Sequence, residues 1–186
     1  MNDKKILIIF GSRYGATEES TKKIKELLEK NNLYVEAINL GQIQKKELPE
    51  INNYSGLIIG TGIKMSMWVK SVKKFVKNEK EALKKYTGIK AFFVSSAFAA
   101  DPERYENIKN EYIISRLQKY GLNFNLVEAF GGKLDLSPES KMTWLDKKMV
   151  GIVSKQYGDI ENKVIDLRDW ERVEKFVANF IELLSK

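Results

Sequence analysis

The sequence predicts an α/β protein: a doubly wound parallel sheet of five strands, helices on both faces, and an inserted helical segment ahead of the C-terminal helix. Three observations lead there. Short apolar runs of strand length alternate with longer runs whose apolar residues recur at helical spacing. The third apolar run, Gly56–Thr61, is almost wholly apolar, the mark of a strand buried on both faces. A loop of glycine and hydroxyl residues, Gly11-Ser12-Arg13-Tyr14-Gly15-Ala16-Thr17, joins the first strand to the first helix. Parallel strands need such crossover helices, which cover both faces of the sheet.

Each element follows in order. Ile6–Phe10 is the first strand. Thr17 to Lys30 reads as a helix, with Glu18 and Glu19 in its first turn and Ile24, Leu27 and Leu28 on one face. Leu33–Leu40 is the second strand and Gly56–Thr61 the third. After a loop at Gly62–Met67, Val69, Val72, Phe75 and Val76 mark a helix. Ala91–Ser95 is the fourth strand. Pro102 then opens a helix carrying Tyr105, Ile108, Tyr112 and Leu117. Phe124–Phe130 is the fifth strand, closed by Gly131-Gly132. Asp169 is a fitting N-cap for the last helix, whose face carries Trp170, Val173, Val177, Ile181 and Leu184. More residues lie between Gly132 and Asp169 than a connection needs. Within them Met142, Leu145, Met149 and Ile152 share one face of an expected amphipathic helix, with Lys141, Lys147, Lys148 and Lys155 adding charge. That helix either docks on the domain edge or offers a basic surface to a membrane or partner.

Composition narrows the chemistry. The 186 residues suit one domain with a real core, and 43% hydrophobic content with 3 Pro indicates an ordered chain. With no Cys and no His, disulfides, thiolate nucleophiles, Cys/His zinc sites and histidine-based catalysis are excluded. No apolar run approaches the roughly 20 residues of a bilayer span, and Ile6–Phe10 is too short for a signal segment. The expectation is a soluble, cytoplasmic protein. The net charge of +7 is either a solvated lysine surface or an attraction for anionic partners. An acidic redox protein, a polycarboxylate substrate and the anionic inner face of a membrane all qualify. The lysines are scattered and form no basic run interleaved with aromatics, so nucleic acid is not expected.

The loop after the first strand is an anion site by construction, because free N–H groups and the helix dipole converge there. Gly15 is followed by Ala16-Thr17, so the lysine of a nucleoside-triphosphate loop is missing. Gly11 and Gly15 alone do not make the three-glycine dinucleotide fingerprint. The third strand ends Gly60-Thr61-Gly62 and lacks the Asp of a receiver domain. Ser12, Tyr14 and Thr17 remain, each with a hydroxyl for a phosphate oxygen. The plain alternative is a helix-capping turn with no ligand.

The spacing Ser12-Arg13-Tyr14-Gly15-Ala16-Thr17 resembles the Thr/Ser-x-Thr-x-x-Thr phosphate loop of FMN proteins, with Tyr14 in place of the usual Thr. The resemblance extends to the flavodoxin superfamily, which holds the flavin ring with the loops after strands three and four. It implies a flavodoxin-like fold, FMN as cofactor, and ring contacts from Thr61, Gly62, Ile63, Lys64, Met65 and Trp68 on one loop. On the other they come from Ser95, Ser96, Ala97, Phe98, Ala99 and Asp101. Trp68 and Phe98 each have two readings, flanking the ring or packing in the core. Lys64 either faces solvent or stabilises charge on the flavin or a substrate carboxylate.

Ile59-Gly60-Thr61-Gly62-Ile63-Lys64, Gly131-Gly132-Lys133-Leu134, Trp144-Leu145-Asp146-Lys147 and Asp166-Leu167-Arg168-Asp169-Trp170-Glu171 resemble the menaquinone-dependent protoporphyrinogen oxidase branch of that superfamily. This implies an oxidoreductase of heme biosynthesis that passes electrons from a reduced tetrapyrrole through FMN to a quinone. A flavodoxin-type electron carrier and an FMN-dependent quinone reductase are the alternatives, with a redox protein as acceptor for the carrier. No catalytic residue is singled out; protons would move through water, a tyrosine or a carboxylate such as Asp101. Asp135-Leu136-Ser137-Pro138-Glu139-Ser140 is a candidate partner or substrate contact.

Overall fold

A computed structural model describes residues 4–44, 47–140 and 164–186. Strands β1 (Lys5–Gly11), β2 (Tyr34–Asn39), β3 (Gly56–Lys64), β5 (Ile89–Ser95) and β6 (Leu126–Phe130) form a parallel sheet in the order β2-β1-β3-β5-β6. The order reverses beside β1, so a crevice opens at the carboxyl ends of β1 and β3. A short β4 (Met67–Trp68) folds back antiparallel on the end of β3.

Side-chain alternation along the strands divides the core in two. Ile6, Ile8, Ile58, Ala91 and Phe93 pack against α1 (Ala16–Lys30) and the C-terminal helix. Leu7, Ile9, Leu57, Ile59, Phe92 and Val94 face α2 (Lys70–Asn78), α3 (Lys80–Lys85), α4 (Pro102–Lys109) and α5 (Ser115–Gln118). The five-stranded parallel sheet expected from the sequence is the one found.

The differences lie at element ends. Tyr105, Ile108, Tyr112 and Leu117 are spaced by three, four and then five residues. The last interval is too long for a plain α-helix, and a π turn over Asn110–Ile114 absorbs it. Strand β6 is shorter than Phe124–Phe130: the Asn125 side chain accepts from the Lys90 N–H at 2.8 Å, and Phe124 sits edge-on against Phe92. The last helix, α6 (Trp170–Ser185), starts as expected at Asp169, whose carboxylate accepts from the Arg172 N–H at 3.1 Å. Its buried face is Val173, Phe176, Val177, Phe180 and Leu184, while Trp170 stays partly exposed. The expected helix through Met142–Ile152, its lysines and the Trp144–Lys147 motif lie outside the described residues. On either side of them, β7 (Lys133–Asp135) pairs antiparallel with β8 (Val164–Asp166). Among the described residues no helix is long and apolar enough to cross a membrane.

Candidate functional site

The first loop is a glycine turn that opens α1. Gly15 adopts φ 96°, a left-handed conformation that glycine takes without a Cβ penalty. Its N–H donates to Ser12 Oγ at 3.1 Å, so the Ser12 hydroxyl braces the turn. No side chain caps α1. Its first-turn N–H groups, from Ala16 onward, therefore lack acceptors within the helix and sit at the positive end of its dipole. Thr17 is buried, and its Oγ1 lies 3.2 Å from where a Cβ on Gly62 would stand. A side chain at Gly62 would crowd the hydroxyl expected to bind phosphate.

The second loop is a tight hairpin. Ile63 pairs with Trp68 and Lys64 with Met67, leaving Met65 (φ 47°) and Ser66 (φ 57°) as the central residues. Both are left-handed, the pattern of a type I′ turn, although neither is the Asn or Gly such turns favour. Non-glycine residues in this region cost of order 1–3 kcal/mol each. Neighbours hold the turn in place: Ser66 Oγ bonds the Tyr112 hydroxyl at 2.9 Å, and Arg116 donates to the Ser66 carbonyl. Met65 is 66% exposed and Met67 51%. Lys64 Nζ donates to the Tyr14 hydroxyl at 2.9 Å, joining the second loop to the first. Arg13 reaches the Trp68 carbonyl at 3.5 Å. The buried Thr61 hydroxyl donates to the Gly62 carbonyl at 3.2 Å and accepts from the Val69 N–H at 3.1 Å, so it fixes the hairpin base.

The third loop follows β5. Ser95 and Ser96 are buried, and the Ser96 N–H donates to the Phe130 carbonyl at 3.0 Å. Ala97–Ala100 make a 3-10 turn, with Ala99 in the core and Phe98 partly exposed. The Arg104 guanidinium lies 5.3 Å from the Phe98 ring centre. Asp101 caps α4 by accepting from the Glu103 N–H at 3.0 Å, and it pairs with Arg104 at 3.3 Å.

The sheet brings these loops to one edge, since β1, β3 and β5 are neighbours and parallel. Of the two readings of Trp68 the structure takes one, and Asp101 has partners within the chain. Trp68 packs in the core: it is 3% exposed, its ring lies 4.9 Å from Phe92, and its indole N–H donates to the Tyr112 carbonyl at 2.6 Å. Asp101 is engaged as a helix cap and ion-pair partner. The sequence assigned Ser66, Tyr112 and Arg116 no role at the site, because no local pattern marks a residue that braces a turn distant in the chain.

The residues present fit FMN. An uncapped helix end suits a phosphate that needs no lysine. The buried Ser95 Oγ at the carboxyl end of β5 has no hydrogen-bond partner among the described residues. A buried hydroxyl in that state fits a polar ligand atom at the crevice.

Comparison with known proteins agrees with this geometry. The profile described as Flavodoxin domain matches residues 7–163. Protoporphyrinogen IX dehydrogenase [quinone] of Escherichia coli (strain K12) is 25% identical over 185 residues, spanning 98% of this chain and 97% of that one. Oxidised flavodoxin 1 from Bacillus cereus superposes with a TM-score of 0.54 at 18% identity, over 96% of this chain and 98% of that chain. The Flv1 flavodiiron core from Synechocystis sp. PCC6803 gives a TM-score of 0.56 at 16% identity, over 98% of this chain and 36% of that chain.

Proposed function

This chain belongs to the flavodoxin domain family, an FMN-binding family, and from that premise we propose that it is an FMN-dependent oxidoreductase of the protoporphyrinogen dehydrogenase type. It takes electrons from a reduced tetrapyrrole and delivers them to a quinone. The observation that carries this reading is the character of the two ring loops. Met65, Met67 and Phe98 expose apolar surface on them, while Arg104 covers Phe98 and Arg116 holds Ser66. Apolar contact bordered by guanidinium groups suits a flat hydrophobic molecule that carries carboxylates. The match to the E. coli dehydrogenase across nearly all of both chains supports the same class.

Bound FMN supplies a two-electron acceptor at its isoalloxazine ring. The chain's own residues do the rest. Ser12 shapes the phosphate turn, Thr17 offers a hydroxyl, and the α1 amides offer N–H donors. The hairpin at Met65-Ser66 and the turn at Ala97–Ala100 are the loops that would hold the ring. Lys64, held at Tyr14, places positive charge beside the loops, where it favours negative charge developing on a ligand. The quinone acceptor and the basic surface together make an anionic membrane face the expected meeting place, with the chain peripheral on its cytoplasmic side.

The test is anaerobic mixing of FMN-loaded protein with protoporphyrinogen. Loss of the oxidised-flavin absorbance with appearance of porphyrin fluorescence, then recovery on adding a menaquinone analogue, is the expected result. Flavin that stays oxidised with the porphyrinogen but exchanges electrons with a redox protein makes the chain an electron carrier. Reduction by a nicotinamide donor followed by quinone reoxidation makes it a quinone reductase.

A further inference from the structure

Glu19 lies one turn into α1, and its Oε1 is 3.8 Å from where a Cβ on Gly15 would stand. A carboxylate therefore sits beside the turn expected to hold a phosphate dianion. Two charges of the same sign near one another repel, the more so the less water lies between them. Something must cancel Glu19 for the loop to work.

The structure supplies the cancelling charge from the far end of the chain. Arg168 Nη2 lies 2.7 Å from Glu19 Oε2, and Lys133 Nζ lies 3.0 Å from Glu19 Oε1. The Arg168 side chain is 3% exposed. Asp166 grips the same guanidinium through Nε at 2.7 Å and Nη2 at 2.6 Å, and the Trp170 ring lies 4.6 Å from it. Its Nη1 is buried with no partner among the described residues.

The backbone makes this placement deliberate. A Cβ on Gly131 would stand 1.8 Å from the Leu167 carbonyl oxygen, so residues 167–168 can pass only over a glycine. The Leu167 N–H donates to the Gly132 carbonyl at 2.9 Å, and Lys133 pairs with Asp166 across β7–β8. Both cations that reach Glu19 thus come from one small ribbon. Burial pushes the Glu19 carboxyl up, but hydrogen bonds and charge from Arg168 and Lys133 outweigh it and hold the group below the usual carboxylate range.

We propose that Arg168, seconded by Lys133, is a positioning residue that neutralises Glu19 and so makes the Ser12–Thr17 loop selective for a phosphorylated flavin over an unphosphorylated one. The proposal rests on the FMN reading. It differs from a purely structural role in one respect. A structural clamp would affect every flavin alike, whereas charge neutralisation matters only to a ligand carrying a phosphate.

The experiment titrates apo-protein with FMN and with riboflavin, following flavin fluorescence, in wild type, Arg168→Ala, Lys133→Ala, Glu19→Gln and the Glu19→Gln/Arg168→Ala double variant. Arg168→Ala should lose about tenfold or more in FMN affinity while riboflavin stays within about twofold. Lys133→Ala, whose side chain is less buried, should show a smaller loss of the same selectivity. The double variant should recover most of the FMN affinity, because the carboxylate beside the Gly15 turn is gone even though Asp166 also loses its guanidinium partner. Equal weakening of both flavins, or a double variant as weak as Arg168→Ala, overturns the proposal. If Arg168→Ala fails to fold, Lys133→Ala decides it alone: FMN affinity lost with riboflavin unchanged supports the proposal, and both flavins weakened alike overturns it. Wild-type protein that binds riboflavin and FMN equally overturns the proposal alone; wild type that binds neither overturns the FMN reading and the proposal with it.

Discussion

The indole N–H of Trp68 donates to the backbone carbonyl of Tyr112 over 2.6 Å, and the bond ties β4 to the helical segment that follows α4. Tyr112 lies in the π turn, and its hydroxyl also bonds Ser66 at the tip of the hairpin. Trp68 and Ser66 together therefore anchor the hairpin to that helical segment. Trp68→Phe keeps an aromatic ring but leaves the buried Tyr112 carbonyl without its partner, at a cost of about 1–3 kcal/mol. Urea unfolding should show a lower midpoint with an unchanged slope. An unchanged midpoint means the carbonyl has found another donor.

In the proposed FMN site Thr17 is the hydroxyl that would meet the phosphate; it is buried at the first turn of α1 and against Gly62. Thr17→Ala removes one hydrogen bond to a charged group, worth about 1.5–3 kcal/mol, so FMN affinity should fall roughly ten- to hundredfold. Equilibrium flavin titration checks this. Unchanged affinity places the phosphate elsewhere.

Met65 holds φ 47° at the first central position of a type I′ turn. Asn is the residue that geometry favours, and Met65 is 66% exposed, so little packing is lost on replacing it. Met65→Asn should raise the stability of the apo-protein by about 0.5–1 kcal/mol. Thermal unfolding of apo-protein tests it; a lower Tm means the methionine makes contacts that outweigh the strain.

Gly131→Ala should be costly. The added methyl has no room against the Leu167 carbonyl, and overpacking of this kind costs about 1–3 kcal/mol. The ribbon that carries Arg168 must move, so FMN affinity should fall along with stability. A variant with wild-type affinity and Tm shows that the backbone at 167 has slack.

The acid limb of stability has a predictable source. The Arg168 hydrogen bond, working against burial, holds the Asp166 carboxyl below its ordinary range, and Glu19 is lowered too. Each is an acid whose folded pKa is depressed, so its contribution is present above the unfolded pKa and is lost as pH falls through the folded one. Stability should therefore decline below about pH 4, and Asp166→Asn should flatten that decline. Both side chains are substantially exposed, so the change should be modest. A limb of unchanged slope in Asp166→Asn assigns the acid sensitivity to other carboxylates.

The sequence alone determined the sheet, its parallel strands and the glycine turn that opens α1. Those follow from local rules: apolar alternation, helix-start residues and a glycine where a left-handed turn is needed. It also placed Asp169 as the cap of the last helix, because capping is a contact between near neighbours. Tertiary structure decided the rest. Whether Trp68 faced the crevice or the core depended on Phe92 and Tyr112, far along the chain, and its own neighbours carry no trace of them. The five-residue interval before Leu117 became a π turn because the sheet demanded that Leu117 be buried. In the sequence Arg168 stands within the Asp166–Glu171 motif, with nothing to assign it a partner. Only folding brings it 149 positions back to Glu19, since long-range electrostatics depends on where the chain returns rather than on what stands beside a residue in sequence.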